Sequence, residues 1–235
     1  MDTFDSRMLG YFDLYARRFS SPGSYRYGLG PAPHPFEPGP EFLVVVAGAP
    51  DSAPTHHAVD VRREAGGLVA DPPELRVALN DTVRWHAADD RTPRYVVRGT
   101  GPTGDWSSGR LGPETVYCHL FGLPGEYRWV NPLGGALSGT AVVAYPPSFD
   151  DPQTLAAWTA ALQTPATVTI RGEVATPETT ETLVGQWVTF VIEDAPRPGV
   201  AITDRRLIMS LDEAGGASSD TPDAANGDRE PTGES

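Results

Sequence analysis

Between residues 42 and 146 the chain reads as a series of short apolar or alternating segments, each closed by Gly, Pro or an Asn-Asp pair, and this limits it to a mainly β fold. "EFLVVVAGAP" is a continuous apolar run of the kind a buried strand shows, "HHAVDVRRE" alternates, and "ELRVALNDTVRWHAADD" holds two strands around Asn80-Asp81. "PRYVVRG", "TVYCHLF", "GEYRWV" and "SGTAVVAYP" bring the set to about seven strands, which describes a β-sandwich of roughly 100 residues. The 25 Gly and 24 Pro fit this reading, because Pro suits neither helix interiors nor central strands.

The flanks read differently. Over residues 3–19, Phe4, Met8, Leu9, Phe12, Tyr15, Ala16 and Phe19 recur close to the helical period, with Asp2 and Asp5 near the start and Arg17-Arg18 near the end. That charge polarity suits the helix dipole, so residues 1–41 are expected to form an amphipathic helix followed by an extended Pro- and Gly-rich connector. Beyond the sandwich of 42–147, residues 148–212 read as a small helix-plus-strands β module. Ser148, Asp150 or Asp151 caps a helix near Pro152 whose face carries Leu155, Trp158, Ala161 and Leu162, and "ATVTIRGEV", "GQWVTFVIEDA" and "GVAITDRRLIMSL" return to strands. The module either packs alone or lays extra strands on the sandwich. Residues 213–235, acidic and without apolar periodicity, are expected to be disordered. One internal echo spans these divisions: "FSSPGSYRYGLG" and "FGLPGEYRWVNPLG" share F-x-x-P-G-x-Y-R-aromatic.

Charge narrows the partners. The chain has 31 acidic residues against 18 basic ones, all Arg, for a net charge of -13. A carboxylate-rich surface without Lys resembles that of proteins from salt-accumulating halophiles; an acidic protein from a GC-rich genome is the other source of such a composition. Either way, like charges argue against nucleic-acid backbones and anionic membranes. There is no apolar run long enough to span a bilayer and no apolar signal segment at the N-terminus, so the expected location is cytoplasmic, with any membrane association through a partner. The single Cys118 excludes an internal disulfide. No G-x-S-x-G, phosphate-cradling Gly loop or H-E-x-x-H occurs, and the adjacent acids Asp89-Asp90 and Asp150-Asp151 read as solvated surface, so an enzyme is not expected.

The frame Asn80-Asp81-Thr82-Val83, Trp85, Asp89 and Pro93, followed by His119, Phe121, Pro124-Gly125, Tyr127, Trp129 and Gly139-Thr140, resembles the cupredoxin family in its halocyanin and plastocyanin branch, over about residues 42–146. The resemblance implies a Greek-key β-sandwich and a type 1 copper site of two imidazoles, a thiolate and an axial thioether. It also implies that the ligands are replaced: Arg94 stands at the first His, Asn131 at the Cys, Leu137 near the Met, and "PLGGALSG" offers no His. The expected protein is therefore a non-catalytic, cofactor-free accessory or binding subunit, of a respiratory or redox complex by family habit, that meets a protein partner through Arg94, Trp129, Asn131, Leu133 and Leu137. The alternative is a copper electron carrier with relocated ligands, His86, Cys118 and His119. Neighbours on a strand point to opposite faces, which weighs against Cys118 and His119 sharing one ion.

Overall fold

The computed structural model describes residues 4–32, 39–48, 53–194 and 199–202. They lie within one compact unit ending at Ile202 and are mainly β, with one helix among them. In chain order the first nine strands are β1 (Asp13–Arg18), β2 (Gly23–Pro31), β3 (Phe42–Val46), β4 (His56–Glu64), β5 (Gly67–Asp71), β6 (Glu74–Val77), β7 (Thr82–Ala87), β8 (Tyr95–Gly101) and β9 (Gly104–Ser107). Then come β10 (Thr115–Leu120), β11 (Gly125–Val130), β12 (Ser138–Ala144), α1 (Pro152–Leu162), β13 (Ala166–Arg171), β14 (Val174–Thr176), β15 (Thr179–Leu183), β16 (Trp187–Asp194) and β17 (Ala201–Ile202).

These strands make an eight-stranded sheet, β14-β13-β16-β10-β1-β7-β4-β5, and two smaller sheets, β6-β3-β2-β8-β9 and β15-β12-β11-β17. The order is a repeat. Antiparallel β1–β7, β2–β3, β2–β8 and β4–β5 recur as β10–β16, β11–β12, β11–β17 and β13–β14, and parallel β3–β6 and β4–β7 recur as β12–β15 and β13–β16. The halves join through antiparallel β1–β10, with Tyr15 opposite Tyr117 at the centre of the pairing, so a local pseudo-two-fold axis passes between these two residues. Only β9 and α1 lack a counterpart among the described residues.

The echo noted in the sequence marks this repeat in three dimensions. In each half a Phe meets the ring of the following Tyr at 4.7 Å, Phe19 with Tyr25 and Phe121 with Tyr127. Each Tyr hydroxyl donates to the carbonyl four residues back, Tyr25 to Ser21 at 2.8 Å and Tyr127 to Leu123 at 2.9 Å, tying the strand to the turn before it. The core aromatics correspond as well: Tyr27 meets Trp85 edge-on at 5.4 Å, and Trp129 meets Phe190 edge-on at 5.2 Å. Burial of these large rings between the sheets is the main stabilising contribution in both halves.

Two expectations are corrected. Residues 13–18 are not helical but form β1, a central strand whose Asp13, Tyr15 and Arg17 point inward and whose Leu14, Ala16 and Arg18 point outward. The apolar spacing there also fits a strand, and pairing on both sides with β7 and β10 outweighs any local preference for helix. The "connector" likewise contains β2, paired with β3 and β8. The divisions at 41/42 and 147/148 therefore do not coincide with breaks between sheets: β4–β9 are completed by β1–β3, and β10–β12 pair with β16, β17 and β15, β10 pairing also with β1. Of the two arrangements open for the C-terminal segment, its described strands extend the shared sheets. The helix there starts at Pro152 as expected, with Asp151 accepting from the amides of Gln153 and Thr154 as N-cap. The expected disordered tail, 213–235, lies outside the described residues.

Candidate functional site

The residues that the cupredoxin frame groups as a partner-binding rim fall in different places. Arg94 precedes β8 in the five-stranded sheet, close to Gly10 and within electrostatic reach of Tyr117. Trp129 is on β11, 1% exposed, its ring over Gly139 of the neighbouring strand. Leu137 is 2% exposed in the core. Asn131 closes the β11–β12 connection: its Oδ1 accepts from the Leu133 amide at 3.0 Å and its Nδ2 donates to the Gly134 carbonyl at 2.7 Å. Leu133 is half-buried in that turn. Trp129, Asn131, Leu133 and Leu137 thus belong to the β11–β12 hairpin, and Arg94 to the other half.

His86, Cys118 and His119 do not converge. Cys118 lies on the outer face of the large sheet, its Sγ 3.4 Å from Thr189 Oγ1, whereas His119 points into the core. His86 shares the outer face with Cys118, but Leu14 of β1 sits between them, opposite both, which separates their strands by roughly 9–10 Å. Its Nε2 is 3.1 Å from Asp60. Burial pushes the Cys118 thiol up to about 11, away from the thiolate a copper site requires. His57, another imidazole of the sequence, lies 2.7 Å from Asp81, which also accepts from the amides of Thr55 and Ala78. Burial alone would raise the Asp81 carboxyl, but those hydrogen bonds together hold it well below the usual carboxylate range. No group of three or more His, Cys, Asp or Glu side chains among the described residues is arranged to hold a metal ion.

The buried polar cluster that sequence reading missed is built around Asp13. Its Oδ1 accepts from the Tyr117 hydroxyl at 2.6 Å and lies 2.8 Å from His119 Nδ1, and its Oδ2 accepts from the Gly10 amide at 2.6 Å. Asp13 and His119 are cross-strand partners and each 2% exposed, and the imidazole is flanked by Phe4 and Phe121 at 4.8 Å. An Asp–His–Tyr set invites comparison with a catalytic relay, yet here His119 faces aromatic rings and no nucleophile. The cluster joins the two halves. At the pseudo-symmetric position Arg17 plays the matching part, its guanidinium 5.7 Å from the Phe19 ring and 5.4 Å from that of Trp106.

Two surfaces among the described residues are candidates for binding. A groove of about 470 Å³ crosses β2, β8 and β9 and is lined among others by Arg26, Glu41, Arg98, Asp105 and Arg110. Among the described residues β9, which forms one wall of this groove, has no counterpart in the other half. The second surface is the face of the eight-stranded sheet that carries Leu14, Val116, Leu120 and Trp187, each half-buried among the described residues. Comparison with family models, with curated proteins and with solved structures finds no match to this chain. No described helix is long and apolar enough to cross a membrane.

Proposed function

We propose that this chain is a non-catalytic, cupredoxin-like accessory subunit that acts by binding a protein partner, with an electron-transfer or respiratory assembly as the setting the resemblance favours. The observation that carries the reading is the state of the loop where a type 1 site would be built. Asn131 spends its amide on closing the β11–β12 turn, and Leu137 is sealed in the core. A side chain used in this way is a structural part of the hairpin and not an open metal donor. Arg94, at the remaining matched position, is always cationic and repels a metal ion. The rival reading, copper on His86, Cys118 and His119, is disfavoured by the opposite faces of Cys118 and His119 and by Leu14 between His86 and Cys118.

Metal titration tests the proposal. The full chain, purified in concentrated salt and offered Cu(I) and Cu(II), is expected to retain no stoichiometric copper and to show no thiolate-to-copper absorption. One tightly held copper per chain, with a visible band that Cys118→Ser removes, would overturn it and make the protein an electron carrier.

A further inference from the structure

The outer face of the eight-stranded sheet has an apolar centre and an unpaired cation. Strand alternation turns Leu14 and Ala16 of β1, Val116, Cys118 and Leu120 of β10, and Trp187 and Val191 of β16 to this side. Leu14, Val116, Leu120, Trp187 and Val191 are each only partly covered. Just before β1, Phe12 is 45% exposed, beside Leu120, whose amide donates to the Phe12 carbonyl, and Tyr11 stacks edge-on against Phe12 at 5.2 Å. Phe12, Leu120 and Trp187 therefore form one aromatic and aliphatic row across three strands. The helix α1 packs beside β15, with Trp158 Nε1 donating to the Val184 carbonyl, and its C-terminal end accepts from the Gln186 side chain just before Trp187.

Arg84 gives this face its chemistry. It stands on β7 opposite Ala16, whose small side chain leaves a path across β1, and its charge acts on the Cys118 thiol one strand further on. Its Nε is buried without a hydrogen-bond partner. Seven arginines, Arg7, Arg17, Arg26, Arg62, Arg76, Arg128 and Arg171, form ion pairs with acids; among the described residues Arg84 and its outward neighbour Arg18 form none, and neither do Arg63, Arg91 and Arg110, so what sets Arg84 apart from these is its buried Nε. In a chain with 31 acids, a guanidinium left without an ion pair and partly desolvated in one cross-strand row with Ala16, Val116 and Val191, on the face that carries Leu120 and Trp187 roughly 13 Å further along the strands, is an incomplete contact.

We propose that this face, running from Arg84 beside Ala16 and Val116 to the row of Phe12, Leu120 and Trp187, docks a protein partner that presents a carboxylate within an apolar segment. The inference rests on the partner-binding reading above and names the surface and its complement. A second copy of this chain is a poor fit. The outward acids Asp60 and Glu193 already pair with His86 and Arg171, so these carboxylates are not free to meet the Arg84 of a second copy.

Fluorescence anisotropy with two labelled synthetic peptides tests this. One alternates Leu and Phe with Glu; the other carries Lys in place of Glu. The full chain is expected to bind the Glu peptide saturably and not the Lys peptide. Arg84→Gln and Trp187→Ser are each expected to weaken that binding roughly tenfold or more, as for loss of a desolvated charge partner or an aromatic anchor. Arg84→Lys separates charge from shape and should recover part of the loss, and Arg18→Gln serves if an Arg84 variant fails to fold. Absence of saturable binding, or equal affinities for wild type and all variants, overturns the proposal. So does a concentration-dependent dimer in sedimentation that Trp187→Ser dissolves, which would assign the face to a second copy. Copper retention measured without peptide would sink the accessory-subunit reading, whereas peptide affinities measured in the presence of a chelator report on the docking face alone, so the two failures are distinguishable.

Discussion

Asp13 of β1 and His119 of β10 are 106 positions apart in sequence and 2.8 Å apart in space, and their contact spans the line along which the two halves of the protein join. Both are buried, so the pair is stable only while each member has the other. Removing one partner leaves a buried polar group without compensation, which typically costs about 3–5 kcal/mol. Asp13→Ala is expected to lose stability on that scale in chemical denaturation. Tyr117→Phe, which removes one of the hydrogen bonds to Asp13, is expected to lose about 1–2 kcal/mol. Equal costs for the two variants would contradict the assignment of Asp13 as the hub.

Two aromatic side chains lie over glycines on neighbouring strands, and these glycines are expected to be intolerant of a methyl group. A Cβ at Gly139 would stand 2.4 Å from the Trp129 ring and 2.8 Å from the Glu178 carbonyl. At Gly99 it would stand 2.3 Å from the Trp106 ring and 2.8 Å from the Arg26 carbonyl. Neither a packed indole nor a paired backbone can retreat cheaply, so Gly139→Ala and Gly99→Ala should each cost about 1–3 kcal/mol. Gly66→Ala, with nothing within 4 Å, is the control and should leave the melting temperature nearly unchanged.

Local signals were legible and long-range ones were not. β4 matches "HHAVDVRRE" residue for residue because its alternation is complete within nine positions, and the start of α1 was readable from Asp151 and Pro152. β1 was not, since Asp13 and Arg17 look like solvent-facing residues until His119, Tyr117 and Glu114 arrive from the other half. The closing strands were misassigned for a related reason. β1–β3 and β10–β12 carry near-equivalent patterns, so local sequence cannot say which set completes β4–β9. The F-x-x-P-G-x-Y-R-aromatic echo was the one available clue to the repeat. Arg94, Asn131 and Leu137 were readable as single residues, but the separation of Arg94 from Asn131 and Leu137 follows from the pairing of strands.

Asp81 anchors the turn before β7, accepting from the amides of Thr55 and Ala78 and contacting His57. Its carboxyl is held below the usual range in the folded chain, so the stabilisation is fully present above the unfolded value near 4 and is lost as pH falls through the folded value. Asp81→Asn is expected to cost about 1–2 kcal/mol at neutral pH. The gap between wild type and variant should narrow as the pH falls below about 4. Denaturant midpoints measured at neutral and acid pH check this, and a gap that widens in acid would refute it.

Cys118 has the right element for metal or redox chemistry but the wrong surroundings. It is 9% exposed, its Sγ lies 3.4 Å from Thr189 Oγ1, and burial raises the thiol to about 11. At neutral pH the thiolate that would attack a disulfide or bind copper is therefore scarce, and the folded chain is expected to react with an aromatic disulfide reagent at least about 100-fold more slowly than the unfolded chain. Because thiolate fraction grows with pH until the thiol titrates, the native rate should still be rising at pH 10, where an ordinary exposed thiol has already levelled off. A docked apolar partner over Leu14, Leu120 and Trp187 would slow the reaction further, since Cys118 lies on the same face. Native reactivity equal to that of the unfolded chain would place the thiol in solvent and remove the floor from the apolar surface around it.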